Sequence, residues 1–153
     1  MQQRHNDRRR YFSELAQTSS SFYVDYVKEY ISLDSTTRIL EVGCGEGGNL
    51  LPFACLGAKV MGIDLYGERI EQAQTYFKES GQKGIFRNID FFQLSEPVRS
   101  EEKFDLVLVH DIIENIEPDM KKEFVRKVGS FVKSTGIIFF RFPAWQMPFG
   151  GHQ

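Results

Sequence analysis

Residues 38–50, RILEVGCGEGGNL, decide how the rest of the chain is read. A short apolar strand, Ile39-Leu40-Glu41-Val42, runs into a stretch holding Gly43, Gly45 and Gly47, after which apolar residues resume at helical spacing. This is a strand, a tight glycine turn and a helix start. Glycine is required where the backbone takes a positive φ, or where a ligand approaches closer than a Cβ allows. The amides of such a turn face outward at a helix N-terminus, whose partial positive charge favours an anionic group. The stretch reads as a cradle for a nucleotide-type cofactor.

Composition sets the outer bounds. At 153 residues the chain holds one domain with a real core and is too short for two of ordinary size. Within that single domain, residues 1–33 read as N-terminal helices, 36–143 as an α/β cofactor-binding core and 144–153 as a loop or lid. The net charge of −2 leaves no broad basic field for a nucleic acid backbone. Cys44 and Cys55 show neither metal-ligand spacing nor a disulfide framework, so they read as two free thiols and no metal is expected. No stretch is long and apolar enough to span a bilayer, and the expected location is the cytoplasm.

Upstream of the glycine stretch, Arg4, Arg8, Arg9 and Arg10 form a basic cluster, read as a solvated helix face rather than a phosphate dock. Apolar residues at helical spacing predict two helices, 8–16 and 20–31, with N-cap candidates for the second among residues 19–21. The second carries an aromatic stripe, Phe22, Tyr23, Tyr26 and Tyr30, expected in the core. Downstream, 58–63 predicts a buried strand ending on Asp64, and 67–80 an amphipathic helix with Ile70, Ala73, Gln74 and Phe77 inward. Residues 85–89 predict a third strand ending on Asp90, and 104–109, FDLVLV, a fourth that delivers His110 and Asp111. Pro118 opens a helix with Phe124, Val125, Val128, Phe131 and Val132 inward, and Gly136 starts a fifth strand. Alternating strands and helices at this spacing require crossover connections, hence a doubly wound, mainly parallel α/β sheet. In such sheets ligands bind beyond the carboxyl ends of the strands, where Gly43, Asp64, Asp90 and His110 all fall.

Two readings compete for the glycine turn, because Gly43-x-Gly45-x-x-Gly48 also satisfies the dinucleotide fingerprint, with Asp64 placed to hold a ribose. Glu41 inside the strand and a second acid, Asp90, followed by Phe91, separate them. A carboxylate at the second strand end suits a ribose diol, and one at the third suits an adenine amino group with Phe91 packed on the ring. That pattern recognises an adenosine whose other end is not a pyrophosphate. Asp64 and Asp90 also suit simple helix capping.

The run LEVGCGEGGNL, then GIDL, IDFF and FDLVLVHDIIENI, each after its strand, resembles the class I S-adenosylmethionine-dependent methyltransferases over about residues 36–143. The resemblance implies a Rossmann-like fold and S-adenosylmethionine as cofactor. It implies that Gly43 and Gly45 line the methionine moiety, with Gly47 completing the turn, that Glu41 supports the turn and the methionine amino group, and that Asp64 with Leu65 holds the ribose. Asp90 and Phe91 would hold the adenine, and His110 would sit beside the sulfonium, facing the acceptor. Such a donor is already activated, so alignment supplies much of the rate, and a base, His110 or His152, matters only for an acceptor that starts protonated. The implied partner is a small molecule.

The segment PAWQMPFGGHQ (143–153) has loop chemistry and is read as a lid or substrate-pocket segment carrying Trp145, Phe149 and His152. Family members finish the sheet with two further strands, whereas this chain stops after the fifth. The expectation is a fragment of a longer protein, or an edge covered by a partner such as a second copy. Two other functions stay open at this point: a nicotinamide-dependent oxidoreductase built on the same glycines, and a non-catalytic binding module that keeps the cradle alone.

Overall fold

The computed structural model describes residues 7–143. Its strands are β1 (Arg38–Val42), β2 (Lys59–Asp64), β3 (Ile85–Asn88), β4 (Phe104–His110) and β5 (Val132–Arg141). All pair in parallel, in the spatial order β3-β2-β1-β4-β5. The chain winds outward from β1 in one direction to β3, then returns to β4 on the other side, so strand order reverses between β1 and β4. The expected doubly wound sheet is present, and its switch point lies at the end of β1 where the glycine turn begins.

Strand alternation splits the core into two layers. Ile39, Val60, Leu106 and Leu108 face the N-terminal helices together with α3 (Leu51–Cys55) and α4 (Gly67–Glu79). Leu40, Val42, Ile63, Val107 and Val109 face α5 (Pro118–Phe131), through Phe124, Val128 and Phe131. These strands are apolar on both faces because both are covered, which is what a parallel sheet demands.

Several boundaries differ from expectation. The two N-terminal helices are one continuous rod: α1 (Arg8–Thr18) passes through a π-helical turn (Ser19–Tyr23) into α2 (Val24–Lys28). Ser19 has helical angles and caps nothing; its hydroxyl instead donates to the Asn49 carbonyl at 2.7 Å. The aromatic stripe divides, with Tyr23, Val24 and Val27 buried while Phe22, Tyr26 and Tyr30 are exposed. In α4, Tyr76 is inward and Gln74 outward, and in α5 Lys127 replaces Val125, which is exposed. Lys127 belongs there because its ammonium donates to the Phe92 carbonyl at 2.7 Å while its stem crosses apolar surface. Val132 is not the end of a helix but the start of β5, paired with Phe104; pairing is irregular up to Leu106 opposite Ile137. Gly136 lies inside this irregular stretch, where a Cβ would stand 2.8 Å from the Asp105 carbonyl oxygen. Among the described residues no helix is long and apolar enough to cross a membrane.

Candidate functional site

A cleft of about 360 Å³ opens beyond the carboxyl ends of β1, β2 and β4. Of the residues singled out in the sequence, Gly43, Asp64, Leu65, Asp90 and Phe91 line it; Glu41, Gly45, Gly47 and His110 do not. The glycine turn explains the division. Gly43, Gly45 and Gly47 all have positive φ, at 71°, 53° and 80°, and each faces a different environment. A Cβ on Gly43 would meet the Ile112 side chain at 2.2 Å, one on Gly47 would meet Phe86 at 2.9 Å, and one on Gly45 would meet nothing within 4 Å. Gly45 is therefore the open position of the turn, Gly47 its anchor on the core, and Gly43 the point of closest approach to the loop after β4.

Both strand-end acids have backbone partners. Asp64 is buried and accepts from Tyr66 N–H at 2.9 Å on Oδ1 and from Gly45 N–H at 2.8 Å on Oδ2. The second bond crosses from β2 to the glycine turn, so Asp64 braces the cradle. Asp90 accepts from Phe92 N–H at 2.9 Å, the cap of a short 3₁₀ turn (Phe91–Gln93). Each carboxylate oxygen has two acceptor sites, so a single backbone bond leaves acceptor capacity on both of these cleft-lining acids. Phe91 is buried, edge-on to Phe124 at 5.4 Å, and contributes to the cleft wall.

Glu41 and His110 lie on the other side of the turn. Glu41 is in register with Leu108, so His110, one alternation further along β4, shares its face of the sheet. Asn49, which sequence reasoning missed, donates its amide to Glu41 Oε1 at 2.8 Å; the same oxygen is 3.1 Å from His110 Nδ1. Tyr23 from the π turn stacks on the imidazole with ring centroids 4.8 Å apart, and Phe139 of β5 meets it edge-on at 5.5 Å. Glu41, Asn49 and His110 are all more than nine-tenths buried, and Glu41 Oε2, Asn49 Oδ1 and His110 Nε2 have no hydrogen-bond partner. No local signal marked Asn49 or Tyr23; both arrive through tertiary packing.

Asp111 also lines the cleft. Asp111, next after His110, has a φ of 52°, a left-handed backbone that a non-glycine residue adopts only when its surroundings impose it. Its N–H donates to the Arg141 carbonyl at 2.8 Å and its carboxylate pairs with the Arg141 guanidinium at 3.5 Å. Arg69, Tyr66 and Asn115 also line the cleft and were not singled out in the sequence. Burial pushes the phenols of Tyr11 and Tyr23 up from their ordinary range, reinforced at Tyr11 by the negative charges of Asp111 and Glu46. Burial also pushes the Cys44 thiol far up, so this cysteine of the turn is a small apolar side chain packed on Gly62 rather than a nucleophile. Among the described residues no group of three or more His, Cys, Asp or Glu side chains is placed to hold a metal ion. Arg4, Trp145, Phe149 and His152 lie outside the described residues.

Comparison with known proteins gives the same picture. A ubiquinone biosynthesis O-methyltransferase from Dechloromonas aromatica is 36% identical over 116 residues, which is 76% of this chain and 48% of that protein. Its counterpart from Rickettsia felis is 29% identical over 117 residues, 76% of this chain and 45% of that protein. The chain thus spans about half the length of the curated relatives it matches. A structure of an S-adenosylmethionine-dependent methyltransferase from Clostridium acetobutylicum superposes with a TM-score of 0.68 at 24% identity, covering 81% of this chain and 49% of that one. The [4+2]-cyclase SpnF superposes with a TM-score of 0.65 at 24% identity, over 76% of this chain and 42% of that one. The family model of a methyltransferase domain matches residues 39–136, from inside β1 to Gly136 of β5. With its ordered strand-end motifs and its glycine turn at the switch point, the chain belongs to the class I S-adenosylmethionine-dependent methyltransferase family.

Proposed function

We propose that this protein transfers a methyl group from S-adenosylmethionine to a small-molecule acceptor, and that residues 36–143 hold the donor. The observation that carries the reading is Asp64: it is fixed by the Gly45 and Tyr66 amides and keeps acceptor sites at the cleft wall. A ribose diol needs that arrangement. Asp90 supplies an acceptor for the adenine amino group, with Leu65 and Phe91 as apolar walls. The open position at Gly45 leaves room for the methionine arm, and the unpartnered Glu41 Oε2 is an acceptor for its ammonium. Gly47 shapes the turn from behind.

The donor, when bound, supplies a methyl group already activated on sulfur, so what the protein must add is alignment and exclusion of water. Two relatives named as O-methyltransferases make oxygen the first acceptor atom to test. The SpnF neighbour is a reminder that this fold hosts other chemistry, so donor binding and turnover are separate measurements. The absence of a membrane-crossing helix among the described residues supports the cytoplasm as the site of action. Beyond β5 no further strand is described, and a second copy or a following segment is proposed to cover that edge.

Isothermal titration with S-adenosylmethionine and S-adenosylhomocysteine tests the reading, with both expected to bind. Binding of neither to the folded protein would defeat it, and preferential binding of a reduced nicotinamide nucleotide would favour the oxidoreductase alternative.

A further inference from the structure

The cleft has a direction. Asp90, Asp64, Gly43 and Asp111 line it beyond the carboxyl ends of β3, β2, β1 and β4, which is the order of those strands across the sheet. With an adenosine on Asp64 and Asp90, the methyl end of the donor extends past Gly43 toward Asp111, and the acceptor approaches from the side of β4 and β5. Two arginines stand near this path. Arg69 lies over the Tyr66 ring, 4.7 Å from its centroid, and the Tyr66 N–H is bonded to Asp64, so Arg69 belongs to the adenosine end. Arg141, the last residue of β5, belongs to the other end. It lies opposite His110 in the ladder, and its carbonyl accepts from the Asp111 N–H at 2.8 Å. Its guanidinium Nη1 is 3.5 Å from Asp111 Oδ2, and the Tyr23 phenol of the N-terminal rod interacts with the same group.

An exposed ion pair adds little to stability, yet this one sits on a residue held at a φ of 52°, a backbone state that collects at sites of function. The Arg141 side chain is 50% exposed at the rim. A guanidinium carries five N–H donors in a planar fork, and Asp111 and Tyr23 engage only part of them among the described residues. A planar carboxylate matches what remains of the fork. We propose that Arg141 anchors a carboxylate carried by the acceptor substrate, with Asp111 and Tyr23 as positioning residues that hold the guanidinium at the rim. The proposal rests on the methyl-transfer reading and deepens it by naming the chemical class of the acceptor. The acids fix the orientation as well. Asp64, Asp90 and Asp111 make the cleft wall unfavourable for an anion, so the carboxylate stays on Arg141 while the reacting atom enters toward the donor.

The test uses the full chain labelled with ¹⁵N-arginine and saturated with S-adenosylhomocysteine, with the Arg141 Nε–H signal identified by its loss in Arg141→Lys. Benzoate and its neutral isostere benzamide are titrated at constant ionic strength. Benzoate is expected to shift the Arg141 signal to saturation, and benzamide to leave it in place. In calorimetry Arg141→Lys, which keeps the charge and loses the fork, should bind benzoate about 10-fold more weakly. Its affinity for S-adenosylhomocysteine should stay within about twofold of wild type, which a merely structural role for the pair would not separate from the benzoate effect. No saturable shift with benzoate, an equal shift with benzamide, or undiminished benzoate binding by Arg141→Lys would each overturn the proposal. Failure of S-adenosylhomocysteine to bind the wild type would defeat the methyl-transfer reading instead, and the benzoate titration of the unliganded chain would still decide whether Arg141 takes a carboxylate.

Discussion

The two sides of the glycine turn hold carboxylates in opposite ways. On the cleft side, Asp64 and Asp90 are gripped by backbone amides and line an open space. On the other side, Glu41 is held by side chains alone, Asn49 and His110, in a layer where atoms are left without partners. Backbone amides come with the fold and survive side-chain truncation, so the cleft acids are preorganised by the strand-to-turn geometry itself. A side-chain cluster in a low-dielectric layer depends on each member, because removing one leaves another buried and unpaired. The contrast separates a cleft lined by braced acids from a buried cluster of polar side chains.

The turn that divides the two sides offers the strongest way to break this comparison. In Gly47→Ala the new Cβ meets Phe86 at 2.9 Å with φ at 80°, so the turn must leave its anchor. A loss of about 2–4 kcal/mol is expected in denaturant unfolding, from left-handed strain and overpacking together. Gly45→Ala has the same class of backbone and open space around it, so it should cost only about 1–2 kcal/mol in stability. Equal stability losses in the two variants would contradict the assignment of anchor and open position.

Next in size is the cleft itself. Asp64→Asn replaces one acceptor oxygen by a donor that opposes either the Gly45 or the Tyr66 amide. Affinity for S-adenosylhomocysteine should fall by about 100-fold in calorimetry, equivalent to about 2.7 kcal/mol. On the buried side, Asn49→Ala removes the amide donor to Glu41 and should lower stability by about 1–2 kcal/mol. Its effect on donor affinity should be smaller than that of Asp64→Asn, and a reversal of that order would merge the two regions into one site.

The smallest effect lies on the exposed face of α5. Arg126 pairs with Glu123 and Glu96 on the surface, and hydrogen bonds from Arg126 hold both carboxyls below their ordinary range. Groups whose folded-state pKa is depressed stabilise above the unfolded-state value and lose that contribution as pH falls through the folded-state value. Glu96→Gln should therefore lower the melting temperature slightly near neutral pH, and the difference from wild type should vanish under acid conditions. These exposed pairs are screened, so added salt should shrink it too.

The succession of strands and helices, the parallel sheet they imply and the acids at the strand ends were legible in the sequence, because they depend on local rules. Apolar runs make buried strands, acids follow them at strand ends, and glycines punctuate the turn. Boundaries were less legible where packing overrode periodicity. The predicted break at residues 19–21 is a π turn instead, since Ser19 finds the Asn49 carbonyl and the rod gains more by staying continuous. Val125 and Gln74 fit a helical stripe yet point outward, because the sheet beneath is covered by Lys127 and Tyr76.

Taken alone, the chain's residues determined a doubly wound fold, a glycine cradle at the end of its first strand and acids at the next two strand ends. Each of these is encoded within a dozen neighbouring residues, by the period of apolar side chains and the φ freedom of glycine. The Glu41, Asn49, His110 and Tyr23 cluster required the tertiary structure. Its members come from four elements, and only parallel strand register and the π turn bring them within hydrogen-bond and stacking distance.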